Sequence, residues 1–149
     1  MEEGHEFNCS VNTILENGDG GFITFENAWE SWSEAPEGTE MYSEEWYQYY
    51  QYKENYYLRT LDATGKELSR CELDAGLGEG EYFYPYSTLI GDDGMVLCCW
   101  DQGILAFDPA TGKKAYSIEM DNYPEKLLRL GDGRVVVSNW GDNGSQLTV

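Results

Sequence analysis

The feature that most constrains this chain is a turn that comes back three times. Residues 11–17 form an apolar run, residues 18–21 read Gly-Asp-Gly-Gly, and residues 22–25 are apolar again. The same order recurs at 87–90, 91–94 (Gly-Asp-Asp-Gly) and 95–100, and at 126–130, 131–133 (Gly-Asp-Gly) and 134–137. Glycine reaches positive φ without steric cost and aspartate bonds to its own backbone, so such turns join antiparallel strands. A second motif follows the first two copies. Residues 57–69 and 103–117 each run from a strand through Asp62-Ala63-Thr64-Gly65-Lys66 or Asp108-Pro109-Ala110-Thr111-Gly112-Lys113 into another strand. Asp62 and Asp108 are placed to accept turn N–H groups, and Gly65 and Gly112 to take left-handed geometry.

Two hairpins in series make a four-stranded antiparallel unit. With one insertion set aside, equivalent turns are about 40–47 residues apart, the length of a propeller blade. The expected fold is all-β, a partial β-propeller of about two and a half four-stranded antiparallel blades. Its blades would span about 8–75, 83–120 and 123–149, the third stopping at its third strand. A β-sandwich also accounts for the strands, but gives no reason for the same turn chemistry to return in the same order. The expected core is Ile14, Leu15, Ile23, Phe25, Leu89, Val96, Leu97, Leu105, Phe107, Leu128, Val135 and Val137. An unclosed ring would leave apolar faces around Val135, Val137 and Leu147 at one end and Ile14 and Ile23 at the other, and so invite self-association.

Composition agrees with strands. The 149 residues include 12 Tyr, 5 Trp, 5 Phe and 17 Gly against 4 Pro. The formal charge of −19 is the wrong sign for a nucleic-acid footprint or an anionic membrane surface. It suits solubility, with calcium or a cationic partner as the other reading. No segment has the apolar length of a membrane helix, and residues 1–5 lack the basic start and apolar core of an export signal. The chain therefore reads as soluble, either cytoplasmic or separated from an upstream export signal. Cys9, Cys71, Cys98 and Cys99 have no CxxC spacing. Cys98 and Cys99 would point to opposite faces of one strand, as small packing residues rather than a disulfide pair.

Residues 104–113 (Ile-Leu-Ala-Phe-Asp-Pro-Ala-Thr-Gly-Lys) and 58–66 (Leu-Arg-Thr-Leu-Asp-Ala-Thr-Gly-Lys) resemble the repeat of quinoprotein-type (PQQ-like) propellers. The insertion followed by residues 49–62 (Tyr-Tyr-Gln-Tyr-Lys-Glu-Asn-Tyr-Tyr-Leu-Arg-Thr-Leu-Asp) is similar to the N-terminal propeller of Firmicutes family 1 extracellular solute-binding proteins of ABC importers. That resemblance implies an extracellular or cell-surface protein, a partner solute-binding domain and a sugar- or peptide-like ligand; the further C-terminal blades are expected because two and a half blades cannot close a ring. No ligand-contacting residue of the binding domain has a counterpart here.

For catalysis the chain offers little. Its one histidine, His5, lies in a terminal tail, and no spacing selects a pair of carboxylates for acid–base work. Neither turnover nor a redox cofactor is expected. Asp19, Asp92, Asp93 and Asp132 carry oxygen ligands of the kind calcium prefers, but turn formation alone explains them. Asn8-Cys9-Ser10 and Asn143-Gly144-Ser145 match a glycosylation pattern that short sequences produce by chance. The candidate binding surface is the aromatic and acidic insertion, residues 27–55, with Trp29, Trp32, Trp46, Tyr47 and Tyr49. Its early part reads as a loop with one helical turn capped by Ser43, its later part as one strand of a long hairpin. These rings either shield the edge of the blade or dock a sugar or a partner domain. The function expected is a non-catalytic binding or scaffold module. The rivals are a fragment of a quinoprotein-type dehydrogenase and an envelope-assembly scaffold.

Overall fold

A computed structural model describes residues 6–78, 83–141 and 144–149. These residues form eleven strands and one short helix: β1 (Glu6–Glu16), β2 (Phe22–Ser33), α1 (Glu44–Gln48), β3 (Tyr50–Leu61), β4 (Glu67–Glu72), β5 (Thr88–Ile90), β6 (Val96–Trp100), β7 (Gly103–Phe107), β8 (Lys114–Glu119), β9 (Tyr123–Arg129), β10 (Val135–Gly141) and β11 (Gly144–Thr148). They make three antiparallel sheets, β1-β2-β3-β4, β5-β6-β7-β8 and β9-β10-β11, in each of which every strand pairs with its neighbour in sequence. The all-β reading is correct at this level.

The recurring turns do the same job with the same bonds. In each sheet the Gly-Asp turn joins the first strand to the second. Asn17 N donates to Gly21 O (2.8 Å) and Gly20 N to Asn17 O (2.9 Å). Gly91 and Met95, then Gly94 and Gly91, repeat this at 2.9 and 3.1 Å; Leu130 and Arg134, then Gly133 and Leu130, do so at 2.8 and 3.0 Å. An aspartate two residues before the exit accepts a backbone N–H in each: Asp19 from Gly21, Asp93 from Met95, Asp132 from Arg134. Gly20, Gly94 and Gly133 supply the positive φ (85°, 79° and 89°).

The sheets stack face to face. Ile23, Phe25, Tyr56 and Leu58 of the first sheet pack against Val96, Cys98, Trp100, Leu105 and Phe107 of the second. The other face of the second sheet, Leu97, Cys99, Ile104 and Ala106, packs against Val137 of the third. Every residue of β6 and β7 is buried. That is why both strands are unbroken apolar runs rather than alternating ones. Cys98 and Cys99 are free thiols, one in each core, as their opposite facing requires.

The expected core needs correction at both ends. Ile14 is 65% exposed and Leu128 63% exposed. Pairing places Ile14 opposite Thr24 and Leu128 opposite Val136, on the outward faces of the first and third sheets, where no sheet covers them. Conversely Ile23 and Val137 are buried, and Val135 packs against the second core, so none of the three forms an exposed end face. Leu147 and Ile14, 75% and 65% exposed, do.

The outward face of the first sheet also carries a buried charge. Glu26 is 1% exposed and accepts Arg59 Nη2 at 2.8 Å and the Thr24 hydroxyl at 2.8 Å. Arg70 lies 3.7 Å from the same carboxylate and stacks 4.3 Å from the centre of the Tyr57 ring. Pairing and hydrogen bonds make that burial tolerable.

Candidate functional site

The insertion is not a loop in its early part. β2 continues to Ser33, β3 begins at Tyr50, and the pair stays in register from Phe22↔Leu61 to Ser33↔Tyr50. β1 follows it outward as far as Glu6↔Ser31. The first sheet therefore carries a three-stranded extension, closed by residues 34–49. The ladder was hidden because Trp29, Glu30, Ser31, Trp32 and Ser33 mix large and small, charged and neutral residues, with no apolar alternation to read.

At the tip, α1 is the expected single turn. Ser43 caps it, its hydroxyl accepting Trp46 N–H at 3.2 Å, and Glu44 and Glu45 occupy the first turn, where the helix dipole favours acids. The Ser33 hydroxyl donates to Trp46 O (3.0 Å) and Glu34 N–H to Tyr49 O (3.1 Å), which pin the helix to the end of the hairpin. Tyr42 holds a φ of 64°, unusual for a bulky residue. Its hydroxyl donates to Glu6 Oε1 at 3.0 Å, and that bond, with the glutamate's charge, raises the phenol's pKa. The bond fastens the tip back onto β1.

The five candidate rings do not form one surface. Trp46 and Tyr47 meet edge to face at 5.2 Å, and with Tyr42 and Tyr50 they make a four-ring group. Tyr42 lies outside the five rings expected from the sequence, although its i, i+4 spacing from Trp46 was visible, and Tyr50 belongs to the strand expected after the helical turn. Tyr49 caps the helix through its backbone and is 41% exposed. Trp29 and Trp32 are three apart on β2 and so lie on opposite faces. Trp29 pairs with Glu54 on the face turned toward the second sheet, and Trp32 with Gln51 on the other.

The inward face holds what the sequence reading missed. Tyr50, Tyr52, Glu54 and Tyr56 are alternate residues of β3 and form one row. Together with Gln51, Asn55, Glu72, Leu73, Ala75 and Phe83 they line a cleft of about 570 Å³. Exposure falls along the row, from 57% at Tyr52 to 8% at Tyr56. Tyr56 forms the floor, its ring 5.8 Å from Phe25 and 5.2 Å from Phe83. Burial, followed by the charge and hydrogen bond of Glu54, pushes its phenol well above the ordinary value. Glu54 Oε1 also accepts Asn27 Nδ2 at 2.8 Å. A second cleft, about 530 Å³, lies between the second and third sheets beside Ile118, Met120, Val137 and Thr148.

Asp19, Asp93 and Asp132 are turn acceptors, as described above. Asp92 pairs with Arg129, and Asp93 also accepts the Tyr116 hydroxyl at 2.7 Å. Among the described residues no three His, Cys, Asp or Glu side chains converge as a metal-binding group. His5 and Asn143 fall outside the described residues. Asn8 and Ser10 lie on exposed β1. No described helix is long and apolar enough to cross a membrane.

No protein-family model and no curated protein matches the chain. Among solved structures it is similar to a protein of unknown function from Bacteroides caccae, at 14% identity and a TM-score of 0.51. The match covers 95% of this chain but 45% of that one, so the chain spans less than half the length of its structural neighbour. At that identity the likeness is one of fold alone.

Proposed function

We propose that the three sheets are blades of an incomplete β-propeller and that the chain is a non-catalytic binding module, the propeller part of an extracellular solute-binding protein of an ABC importer. Three features support the propeller. Each sheet is an up-and-down meander, each opens with the same turn, and the inner strands of the middle sheet are buried on both faces. The observation that carries the binding role is the aromatic extension of the first sheet. Residues 27–33 and 50–55 lengthen the hairpin beyond the core, and they bear rings beside an open cleft. A fold that needed only edge protection would bury these rings, yet Tyr47 and Tyr52 stand 55% and 57% exposed. The cleft is lined by phenols, amides and carboxylates, which hold and orient a ligand.

The test is a ligand panel read by indole N–H signals and tryptophan fluorescence, since Trp29 and Trp46 flank the extension. Neutral oligosaccharides, short acidic and basic peptides, and small amines would be titrated in turn. One class is expected to shift the Trp29 or Trp46 signals saturably. If no class moves them, the extension is not a binding site and the module reading fails.

A further inference from the structure

We propose that the cleft along β3 binds an organic cation, a primary ammonium or guanidinium group on an apolar stem. The inference rests on the binding role proposed above and names the chemistry of its ligand. It begins from Glu54, the one charged member of the row Tyr50, Tyr52, Glu54, Tyr56. Tyr52 and Tyr56 flank it along the strand, each about 7 Å away at a two-residue step. Trp29 sits directly across the ladder on the same face, within side-chain contact range. The carboxylate thus shares one face of the sheet with three aromatic residues.

Rings do not satisfy a carboxylate. Their faces carry negative charge and their edges offer only weak donors. The hydrogen bond that Glu54 accepts from Asn27 comes from a neutral amide. It aims the group and leaves its charge in place. Among the described residues that line the cleft there is no lysine or arginine. Lys53 belongs to the opposite face, paired with Glu30. An oriented carboxylate sharing its face with aromatic residues matches a cation twice over. The N–H groups bond to the carboxylate, and the charge and its neighbouring methylenes lie against the rings. The cleft is open at the Tyr50–Tyr52 end and closed by Tyr56 and Phe83, so the cationic head would enter first and the stem would lie along Tyr52 and Tyr50. The net charge of −19 adds a long-range field that gathers cations at the surface.

A free polyamine and a lysine or arginine side chain of a peptide share this chemistry. Calorimetric titration with spermidine, with the tripeptide Gly-Lys-Gly and with maltotriose separates the sources. Three variants are needed: Glu54→Gln, which keeps an acceptor for Asn27; Tyr52→Ala, at an exposed ring; and Glu37→Gln, an exposed carboxylate away from the cleft. Spermidine, the peptide or both should bind the wild type. Affinity should fall at least about tenfold in Glu54→Gln, the loss expected for a charge-assisted hydrogen bond. Tyr52→Ala should cost about threefold or more through lost cation–π contact. Glu37→Gln should change affinity by less than about twofold, as for any exposed charge. Equal effects of Glu37→Gln and Glu54→Gln would reduce the binding to diffuse attraction and overturn the proposal. Binding of maltotriose without either amine would overturn it too, while leaving the binding role intact. Silence from every probe would remove both.

Discussion

The inner pair β6–β7 and the far half of the β2–β3 hairpin are both regular antiparallel ladders, yet they are written in different residues. All ten residues of β6 and β7 are buried, and their sequences, Val-Leu-Cys-Cys-Trp and Gly-Ile-Leu-Ala-Phe, contain no charge. In the far half of the hairpin, Tyr50, Gln51, Tyr52 and Lys53 are exposed, and charged and aromatic residues alternate. What differs is the covering. The inner pair has a sheet against each face, so both faces must be apolar. The hairpin's far half extends past its neighbour and borders open space, so it uses rings with polar tips. One ladder is built to be covered, and the other is left available.

The largest effect that tests this contrast is alkaline unfolding. Burial pushes the Cys99 thiol up to about 12 and the Cys98 thiol well above its ordinary value. Tyr116, through burial and then Asp93, and Tyr86, chiefly through its hydrogen bond to Asp101, are raised to about 12. In the unfolded chain these thiols ionise near about 8.5. Between that pH and about 12 the unfolded state gives up protons that the native state keeps, so stability is full below the window and falls as pH rises through it. The denaturation midpoint should decline steadily above about pH 9; exposed tyrosines and lysines titrate there too, but with the same pKa folded and unfolded they add no slope. A flat midpoint up to pH 12 would mean the inner pair is not dry. At neutral pH a thiol reagent should label exposed Cys9 on the native protein and reach Cys98 and Cys99 only after unfolding.

Truncating one ring in each region sharpens the same comparison. Phe107, fully buried, touches the core shared by the first two sheets. Phe107→Ala should destabilise by about 3–5 kcal/mol through lost transfer energy and a residual cavity. Tyr47, 55% exposed at the tip, packs against the rings of Tyr42, Trp46 and Tyr50. Tyr47→Ala should stay within about 0.5 kcal/mol. Urea midpoints of the two variants decide it; a costly Tyr47→Ala would show that the tip is part of the core.

How much was legible follows from where a side chain's period carries information. The Gly-Asp and Asp-Thr-Gly turns were readable because specific residues are needed for left-handed φ and backbone acceptance, and each such turn joins two strands as expected. Val96, Leu105 and Phe107 were readable as core because they lie in unbroken apolar runs, and Phe25 because it follows the first Gly-Asp turn in a mostly apolar stretch. Ile14 and Leu128 were misplaced because hydrophobicity does not say which face of an outer sheet has a neighbour. The extension of β2 was misread as a loop, since a strand covered on only part of its length shows no clean alternation. At the site, the aromatic richness was visible but the row Tyr50, Tyr52, Glu54, Tyr56 was not. Seeing it required knowing that β3 runs from Tyr50 through Tyr56 in one register with β2, which sets the faces, and that Leu73, Ala75 and Phe83 lie beside one of them.

The smallest and most discriminating expectation uses two glycines from the same motif. Gly65 and Gly112 follow Asp62 and Asp108 in their turns, at φ 83° and 72°. Their local bonding is alike: Gly65 N–H donates to Asp62 O at 2.9 Å and Gly112 N–H to Asp108 O at 2.8 Å. Judged by the turn alone, alanine should cost the same at both, about 1–2 kcal/mol for left-handed backbone. Their surroundings differ. A Cβ on Gly65 would meet open space, whereas one on Gly112 would run into the Glu72 carbonyl at the end of β4. There the second sheet's turn is laced to the first sheet's exit. Asp74 N–H donates to Gly112 O at 2.9 Å and Lys114 N–H to Asp74 O at 3.1 Å, across the parallel bridge Asp74↔Lys113. Gly112→Ala must therefore push the two sheets apart as well as strain its own turn, and should cost about 3 kcal/mol or more, the range of overpacking added to strain. Gly65→Ala should stay near about 1 kcal/mol. Chemical denaturation of both variants measures the gap. Equal losses would mean that the first two sheets are joined by their apolar faces alone, and that this turn belongs only to the sheet it closes.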